Sequence, residues 1–357
     1  MSRPTIAVLF GGQSSEHEIS LQSAAAVIRQ ISPDKYHVIC LGITRQGHWL
    51  LFEGTPEEIE DGSWERGRCT PCILSPDAKN RGLICLGPEG PKPIALDAAF
   101  PILHGKNGED GTVQGLLELA RIPCIGCGLL SSALCMDKLL SHKLAAQAGI
   151  RVPRAVCVEK ESAQISEIAA LLREQNLTPP LFVKPLRAGS SFGISKIESL
   201  EELSGALGMA FSYDREALIE EAVPGFEVGC AVLGARDLFF GEVDEIELSG
   251  GFFDFTEKYT LKTSRIHMPA RISAETASRI RETAAVLYRL FSCSGFARVD
   301  LFLTPEGEIV FNEINTIPGF TSHSRYPNMM KGAGLSFSQL VDRILEEALA
   351  EKKAGRA

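Results

Sequence analysis

Short apolar runs alternate with amphipathic stretches along the first part of the chain. The runs TIAVLF (5–10), YHVICLGI (36–43) and LDAAFPIL (96–103) have the length of buried strands. Between and after them, SLQSAAAVIRQI (20–31) and VQGLLELA (113–120) carry apolar residues at helical spacing. Strands that alternate with helices in this way commonly pair in parallel, so the pattern predicts a parallel sheet covered by helices.

The middle of the chain begins a second unit of the same kind. The stretch ALCMDKLLSHKLAAQAG (133–149) has helical spacing and ends at a glycine, which favours a helix terminus there. The runs RAVCV (154–158), LFVKP (181–185) and ALIEEAV (217–223) predict strands, and SEIAALLREQ (166–175) predicts a helix between the first two.

The last third of the chain mixes further strands with two long helices, ETASRIRETAAVLYRLF and LSFSQLVDRILEEALA. We therefore predict a fold of the α/β and α+β classes in three domains. The predicted boundaries are 1–130 for an N-terminal parallel α/β domain, 131–222 for a central domain and 223–357 for a C-terminal domain. Binding sites are expected where these domains meet.

Composition narrows the classes of function. The chain has 357 residues, of which 45% are hydrophobic, enough for two or three packed subdomains. Its formal net charge of -9 argues against a nucleic-acid-binding protein, which would need clustered Lys and Arg. The apolar run at the start is too short for a secretory signal, and no run reaches the roughly 20 apolar residues that cross a membrane. We expect a cytoplasmic protein without membrane contact.

Ten cysteines are scattered along the chain, which we interpret as reduced thiols. Two CxxC pairs, Cys69/Cys72 and Cys124/Cys127, raise the alternative of a zinc site. Their separation fits zinc patterns loosely, and the second pair lies where a buried strand leads into a turn. Cysteine acting as a small hydrophobic residue is the favoured interpretation.

The stretch ARVDLFLTPEGEIVFNEIN predicts a hairpin of two alternating strands around a tight turn. A turn centred after Glu306 places Asp300 opposite Glu313 and Arg298 opposite Asn315, with all four side chains on one face. Two opposed carboxylates repel unless a cation lies between them. The two carboxylates and the asparagine amide suit magnesium that carries nucleotide phosphates; a solvated hairpin face is the alternative.

A phosphate-binding loop is predicted elsewhere, because the chain has no Walker motif. The run 126–131 is a weak match to a dinucleotide-binding motif and is better explained as a structural turn. Instead, Lys184 ends a predicted strand and precedes the small-residue loop 187–193, whose backbone N–H groups can surround a phosphate. Lys138 and Lys184 would add positive charge. A surface turn is the alternative for this loop.

Seven segments occur in the order and approximate spacing of one known family: FGGQSSEHEIS (10–20), HGKNGEDGTVQG (104–115), MDK (136–138), KPLRAGSSFG (184–193), EKY (257–259), ARVD (297–300) and NEINTIPGFTSHS (312–324). Together they resemble the D-alanine–D-alanine ligases, which have the ATP-grasp fold. The resemblance implies that ATP binds between the central and C-terminal domains. It implies an ATP site made of Lys138, Lys184, Ser191, Glu220, Glu221, Val223 and Glu227.

The resemblance also implies two Mg²⁺ ions held by Asp300, Glu313 and Asn315, with Mn²⁺ as a substitute. The carboxylate of a first D-alanine, whose ammonium group binds Glu16 near His104, would attack the γ-phosphate to form an acyl phosphate. The amine of a second amino acid would then attack that intermediate. The residues matched to charge stabilisation, oxyanion binding and the second carboxylate are Lys258, Arg298, Gly319 and Ser324.

Active-site closure is implied for the segment 252–264, a mobile loop that would exclude water. Ser190 and Tyr259 match the residues that link this loop to Glu16. Ligases that use D-lactate resemble this family but carry histidine in place of the loop tyrosine, so Tyr259 indicates an amino acid as the second substrate. Ala188 departs from the acidic residue usual in the glycine-rich loop.

The second substrate is predicted from Arg325, which stands where D-alanine-specific ligases carry an aliphatic residue. A guanidinium there, with Asp244 and Phe253, favours the hydroxymethyl group of D-serine. Several stretches resemble vancomycin-resistance-type D-alanine–D-serine ligases most closely. One or two hydrogen bonds provide only about 1–3 kcal/mol of selection, so D-alanine stays an alternative second substrate.

Two rival functions are less consistent with the sequence. A glutathione-synthetase-like ligase would share the nucleotide residues but lack Glu16 and Tyr259 in their motifs. A non-catalytic ATP-binding regulatory module would show damage in the predicted magnesium hairpin, which is intact. The family resemblance further implies a homodimer formed through the N-terminal domain.

Overall fold

The computed structural model describes residues 3–189, 191–248 and 264–353. Within these ranges three β-sheets follow one another along the chain, each packed against helices. The mixed α/β class predicted from the sequence is confirmed. No helix in the described ranges is both long enough and apolar enough to cross a bilayer.

The first sheet has seven strands in the order β6-β5-β4-β3-β2-β1-β7. Its strands are β1 (Thr5–Gly11), β2 (His37–Ile43), β3 (Trp49–Phe52), β4 (Cys69–Leu74), β5 (Gly82–Gly87), β6 (Gly90–Ala95) and β7 (Ala98–Pro101). The three predicted strands, β1, β2 and β7, pair in parallel, whereas β3 to β6 extend the sheet in antiparallel order. The antiparallel half was not predicted. The connections from β2 to β3, from β4 to β5 and from β5 to β6 are too short for the crossover that parallel pairing needs, whereas the longer connection from β3 to β4 contains a short helix.

The second sheet has the order β10-β9-β11-β8 and is antiparallel. It contains β8 (Ala155–Glu159), β9 (Leu181–Pro185), β10 (Ser195–Ile197) and β11 (Glu216–Glu221). The helices up to this point are α1 (His17–Gln30), α2 (Pro56–Glu60), α3 (Thr112–Leu119), α4 (Leu129–Met136), α5 (Lys138–Gln147), α6 (Ile165–Glu174) and α7 (Leu203–Ala210). Short 3-10 helices span Ser63–Arg66, Lys160–Ser162 and Leu200–Glu202.

The prediction of a single helix over 133–149 is wrong, because the helix is interrupted at Asp137, between α4 and α5. Asp137 has extended backbone angles, and its side chain accepts a hydrogen bond from the backbone N–H of Leu140. Aspartate is a preferred N-cap, so it ends one helix and starts the next. The break makes Lys138 the first residue of α5.

The third sheet contains β12 (Phe226–Leu233), β13 (Phe239–Phe240), β14 (Asp244–Leu248), β15 (Ser264–His267), β16 (Phe296–Leu303) and β17 (Ile309–Asn315). The main order is β15-β14-β12-β16-β17, with β13 paired to β12. Helix α8 (Ala274–Leu290) shares a core with this sheet. The last helices, α9 (Arg325–Gly332) and α10 (Phe337–Lys353), contribute to a core shared with the first sheet. The domain boundaries stay predictions.

A buried aromatic cluster joins the first and third sheets. The ring centroid of Phe296, at the start of β16, lies 5.8 Å from that of Phe100 in β7 and 5.1 Å from that of Phe320. The ring of Phe320 also packs against Tyr326 in α9, at 5.4 Å. All four side chains are fully buried. The cluster therefore fixes the segment between β17 and α9, which borders the cavity described below.

Replacing Phe320 with alanine is expected to lower the free energy of unfolding by about 3–5 kcal/mol, because it opens a cavity where two sheets meet. Urea denaturation measures the change. Leu119→Ala is the matched control, since Leu119 is 68% exposed and its loss is expected to cost roughly 0.5 kcal/mol or less. Equal effects for the two variants would contradict the proposed role of the cluster.

Candidate active site

The hairpin of β16 and β17 forms the centre of the site. Arg298 pairs with Asn315 and Asp300 with Glu313, so the register predicted for these four residues is confirmed. Asp300 is buried, and its two oxygens accept hydrogen bonds of 2.7 Å from Nε and Nη2 of Arg298. Asn315 Nδ2 donates to the same carboxylate at 2.8 Å. These contacts place the predicted side chains together on one face.

The turn of this hairpin differs from the prediction. The N–H of Thr304 donates to the carbonyl of Glu308, which gives a longer loop than the tight turn expected. A β-bulge compensates: Asp300 pairs with Glu313, but the next residue, Leu301, pairs with Phe311, so the intervening residue of β17 has no opposite neighbour. The longer turn shifts the pairing of the two strands by one residue from the predicted register. The bulge shifts it back by one residue, so the predicted pairs form at the site.

The oxygen atoms of this hairpin fit a magnesium ion. Asp300 and Glu313 offer carboxylates, and Asn315 offers an amide oxygen, which are ligands that Mg²⁺ prefers. The described ranges hold no group of three or more His, Cys, Asp or Glu side chains placed to bind a metal. A magnesium ion here would therefore complete its coordination with water and phosphate oxygens, as nucleotide-bound Mg²⁺ does.

Three of the predicted ATP residues, Lys138, Lys184 and Glu220, lie at the start of α5 and on two strands of the second sheet. Lys184 in β9 forms an ion pair with Glu220 in β11, and both side chains are buried. Lys138 Nζ donates to the carbonyl of Ala188 at 2.7 Å, which ties the start of α5 to the small-residue loop. Ala188 therefore contributes its backbone carbonyl to this site. This contribution does not depend on its side chain, although an acidic residue is usual at this position in the family.

The other predicted ATP residues lie in less convergent positions. Glu221 accepts a 2.7 Å hydrogen bond from Arg154 near the surface. Val223 is half-buried, and Ser191 has a positive φ of 59° in the loop after Ala188. Glu227 in β12 accepts a hydrogen bond of 2.7 Å from Arg325 Nη1, so it contacts the second-substrate residues as well.

A cavity of about 780 Å³ lies beside the hairpin. The predicted site residues that line it are Glu16, His104, Arg298, Asn315, Gly319, Ser324 and Arg325. Ser324 is the N-cap of α9, and its hydroxyl accepts from the N–H of Thr321 at 3.0 Å. A Cβ atom at Gly319 would lie 2.8 Å from that hydroxyl, so glycine keeps the backbone close to Ser324.

His104 occupies the cavity wall in a structural arrangement. Its Nδ1 donates to the carbonyl of Ile317 at 3.1 Å, and Nε2 lies 3.1 Å from the hydroxyl of Ser23. Burial lowers the pKa of His104 to about 4, so the ring is neutral at physiological pH. Both ring nitrogens have hydrogen-bond partners. His104 therefore connects the loop after β7 to α1, through Ser23, and to the segment after β17, through Ile317.

Glu109 is a cavity residue that was not singled out from the sequence, although it belongs to the HGKNGEDG motif. Its carboxylate accepts a 2.7 Å hydrogen bond from the N–H of Gly105. Burial and the nearby carboxylate of Glu16 raise the pKa of Glu109 to about 8. A Cβ atom at Gly189 would lie 2.9 Å from Glu16 Oε2, so the small-residue loop also reaches this pair. Two carboxylates in one cavity favour a bound ammonium group.

Arg325 is buried and fixed by carboxylates. Its Nε and Nη2 donate to the two oxygens of Asp244, each at 2.8 Å, and its Nη1 lies 3.5 Å from Asp300. Burial alone would lower the pKa of Arg325, but Asp244 and Asp300 raise it well above its usual value. A Cβ atom at Gly229 would lie 2.4 Å from Arg325 Nη2 and 2.5 Å from Asp244 Oδ1. The requirement for glycine there was not foreseen.

Four predicted site residues lie outside the described ranges: Ser190, Phe253, Lys258 and Tyr259. Their roles in loop closure, charge stabilisation and second-substrate recognition stay predictions.

Comparison with known proteins covers nearly the whole chain. A family model described as "D-ala D-ala ligase N-terminus" matches residues 5–127, and one described as "D-ala D-ala ligase C-terminus" matches residues 144–346. A putative D-alanine–D-lactate ligase from Streptomyces coelicolor is 45% identical over 99% of each chain. A D-alanine–D-alanine ligase from Caldicellulosiruptor bescii is 42% identical over 99% of this chain and 97% of its own.

A solved structure gives a higher identity. The crystal structure of the VanG D-Ala:D-Ser ligase from Enterococcus faecalis is 54% identical and covers 97% of this chain and 100% of its own, with a TM-score of 0.89.

The Glu16 and Glu109 pair generates a pH-dependent prediction for the protein without metal or nucleotide. The pKa of Glu109 is about 8 in the folded state against an ordinary value of 4.5, so between these values the folded state holds the extra proton and stability falls as pH rises. Glu109→Gln mimics the protonated form. The free energy of unfolding of Glu109→Gln, relative to that of the wild type, is expected to rise by roughly 1 kcal/mol for each pH unit of increase across this window. Urea denaturation at several pH values measures it, and a pH-independent difference would contradict the assignment.

Proposed function

Because the chain belongs to the D-alanine–D-alanine ligase family, we propose that it is an ATP-dependent ligase that joins D-alanine to D-serine. The observation that carries the choice of D-serine is that Arg325 lines the cavity and is ion-paired with the buried Asp244 behind it. The 54% identity to a protein named as a D-Ala:D-Ser ligase supports the same choice. The product would enter peptidoglycan precursors and confer glycopeptide resistance.

The first step would use the carboxylates of Glu16 and Glu109, which line the cavity. Glu16 and Glu109 would bind the ammonium group of D-alanine and so orient its carboxylate for attack on the γ-phosphate, which gives D-alanyl phosphate and ADP. Lys138 and Lys184 would hold the phosphates. Two Mg²⁺ ions, held by the hairpin oxygens of Asp300, Glu313 and Asn315, would offset the negative charge of the transferred group.

The second step would use Arg298 and the backbone N–H of Gly319. The amine of D-serine attacks the acyl carbon, which places negative charge on the acyl oxygen of a tetrahedral intermediate. This intermediate then expels phosphate, and the nitrogen loses a proton. Two fixed donors stabilise such an oxyanion better than mobile ones. Arg298 is fixed because Asp300 binds its Nε and Nη2, which leaves the outer edge of the guanidinium for the substrate. Ser324 and Lys258 would hold the second carboxylate.

Selection for D-serine would come from the polar wall at Arg325. Hydrogen bonds to Asp244 and Glu227 use three of its five N–H groups, and Arg325 is one of the residues that line the cavity. A remaining N–H can donate to the hydroxyl of D-serine. The methyl group of D-alanine offers no acceptor, and this difference is worth about 1–3 kcal/mol.

D-alanine is the second candidate for the second substrate, as the relative from Caldicellulosiruptor bescii carries the name of a D-alanine–D-alanine ligase. D-lactate is disfavoured by Tyr259, although the relative from Streptomyces coelicolor is named for it. A non-catalytic ATP-binding module is the remote alternative; the intact hairpin with paired Asp300 and Glu313 opposes it. A homodimer stays a prediction.

The substrate proposal is tested by phosphate release with ATP, Mg²⁺ and D-alanine, alone and with D-serine or D-lactate, and by mass identification of each product. With both amino acids present, D-alanyl-D-serine is expected to dominate. Dominant D-alanyl-D-alanine would reject the D-serine assignment, and no ligation with any pair would reject the ligase assignment itself.

Variants at Arg325 test the origin of selectivity. Arg325→Met is expected to lower the preference for D-serine over D-alanine in kcat/KM by about 10-fold or more, because it removes the hydrogen-bond donor. Arg325→Lys keeps the charge beside Asp244 and is expected to fold, while it loses the bidentate contact and part of the preference. Arg343→Met in α10 is the control and is expected to leave the ratio unchanged, because Arg343 pairs with Glu347 and does not line the cavity. An unchanged ratio in both Arg325 variants would refute the role of this residue.

A further inference from the structure

The β-bulge in β17 decides which face of the hairpin carries Glu313. From the turn to Leu301, each pair of opposed residues follows the register in which Leu301 faces Phe311. Without the bulge, that register would continue and place Asn312 opposite Asp300. Because successive side chains of a strand point to opposite faces, Glu313 would then point away from Asp300. The extra residue, Asn312, therefore makes the pair of carboxylates possible.

A bulge has weaker ladder hydrogen bonds than a regular strand, so other groups must hold it. His142 supplies one: its Nε2 lies 2.8 Å from the carbonyl oxygen of Asn312. A carbonyl can only accept, so Nε2 carries the proton. On the neighbouring residue, the N–H of Phe311 donates to the carbonyl of Arg151 at 2.8 Å. The bulge is thus held from outside the hairpin.

The position of His142 connects the bulge with the predicted nucleotide site. His142 is buried and lies in α5, one turn after Lys138 at the start of that helix. Residues four apart lie on the same face of a helix. The ring packs edge-on against Phe311, with centroids 5.7 Å apart. One side chain thus contacts the bulge from the helix that also supplies a predicted phosphate lysine.

We infer that His142 is a positioning residue for the metal hairpin: its Nε2–H holds the carbonyl of Asn312 and thereby keeps Glu313 opposite Asp300. This inference deepens the proposed function and rests on it for the role of Glu313 as a magnesium ligand. His142 is not among the residues that line the cavity.

The alternative is that His142 only fills space against Phe311, and two variants separate these roles. His142→Phe keeps an aromatic ring but removes the donor. His142→Gln lacks the ring but has an N–H donor at a position comparable to Nε2. His142→Met replaces His142→Phe if the latter does not fold. His37→Phe, at an exposed position in β2, is the matched control.

The first readout is hydrogen–deuterium exchange of the peptide 309–315 in the protein without metal or nucleotide, so it does not depend on ligase activity. Exchange is expected to be faster in His142→Phe, and close to wild type in His142→Gln and in the His37 control. The second readout is Mn²⁺ affinity in the presence of a non-hydrolysable ATP analogue, measured by electron paramagnetic resonance. A residue that orients a metal ligand typically changes affinity by about 10–100-fold, and a loss in this range is expected for His142→Phe only.

The outcomes distinguish the inference from the proposed function. If wild type binds no Mn²⁺ with the nucleotide analogue, the metal role fails, while the exchange data still report whether His142 holds the bulge. If His142→Phe exchanges and binds Mn²⁺ like wild type, His142 does not position Glu313. Equal losses in His142→Phe and His142→Gln would assign the effect to packing of the imidazole and overturn the inference.

Discussion

The buried carboxylate of Asp300 is the group on which the arrangement of the cavity depends. A charge removed from water costs on the order of several kcal/mol unless opposite charges and hydrogen bonds replace its hydration. Arg298 from the same strand, Asn315 from the neighbouring strand and Arg325 from the following helix supply that replacement. Because the three groups lie on different segments, satisfying one carboxylate also fixes the relative positions of β16, β17 and α9.

The same electrostatic requirement extends across the third sheet. Arg325 contacts Asp244 in β14 and Glu227 in β12, so negatively and positively charged side chains alternate from the hairpin across to β14. Together with Asp300 and Glu313, this makes four carboxylates and two guanidinium groups, those of Arg298 and Arg325. The formal charge of the group is therefore negative. Such a charge attracts cations, which agrees with the proposed binding of magnesium and of substrate ammonium groups.

Period-two alternation predicted the face shared by Arg298, Asp300, Glu313 and Asn315, because that period is a property of any strand. The pattern could not reveal the bulge, since the contacts that hold it come from distant segments: His142 of α5 contacts the unmatched Asn312, and Arg151 contacts the neighbouring Phe311. The antiparallel half of the first sheet and the roles of Glu109 and Gly229 were likewise missed. Burial and close backbone contacts depend on segments that are distant in the sequence, so local sequence patterns do not reveal them. The break at Asp137 was missed although aspartate is a known cap signal.

The close approach at Gly229 has an evolutionary consequence. No side chain fits beneath the Arg325–Asp244 pair, and an arginine introduced at 325 without the carboxylate at 244 would be a buried charge lacking its main counterion. A guanidinium at 325 is therefore tolerated only together with the glycine at 229 and the aspartate at 244. Substitutions at these three positions are epistatic, because the effect of each depends on the residues at the other two.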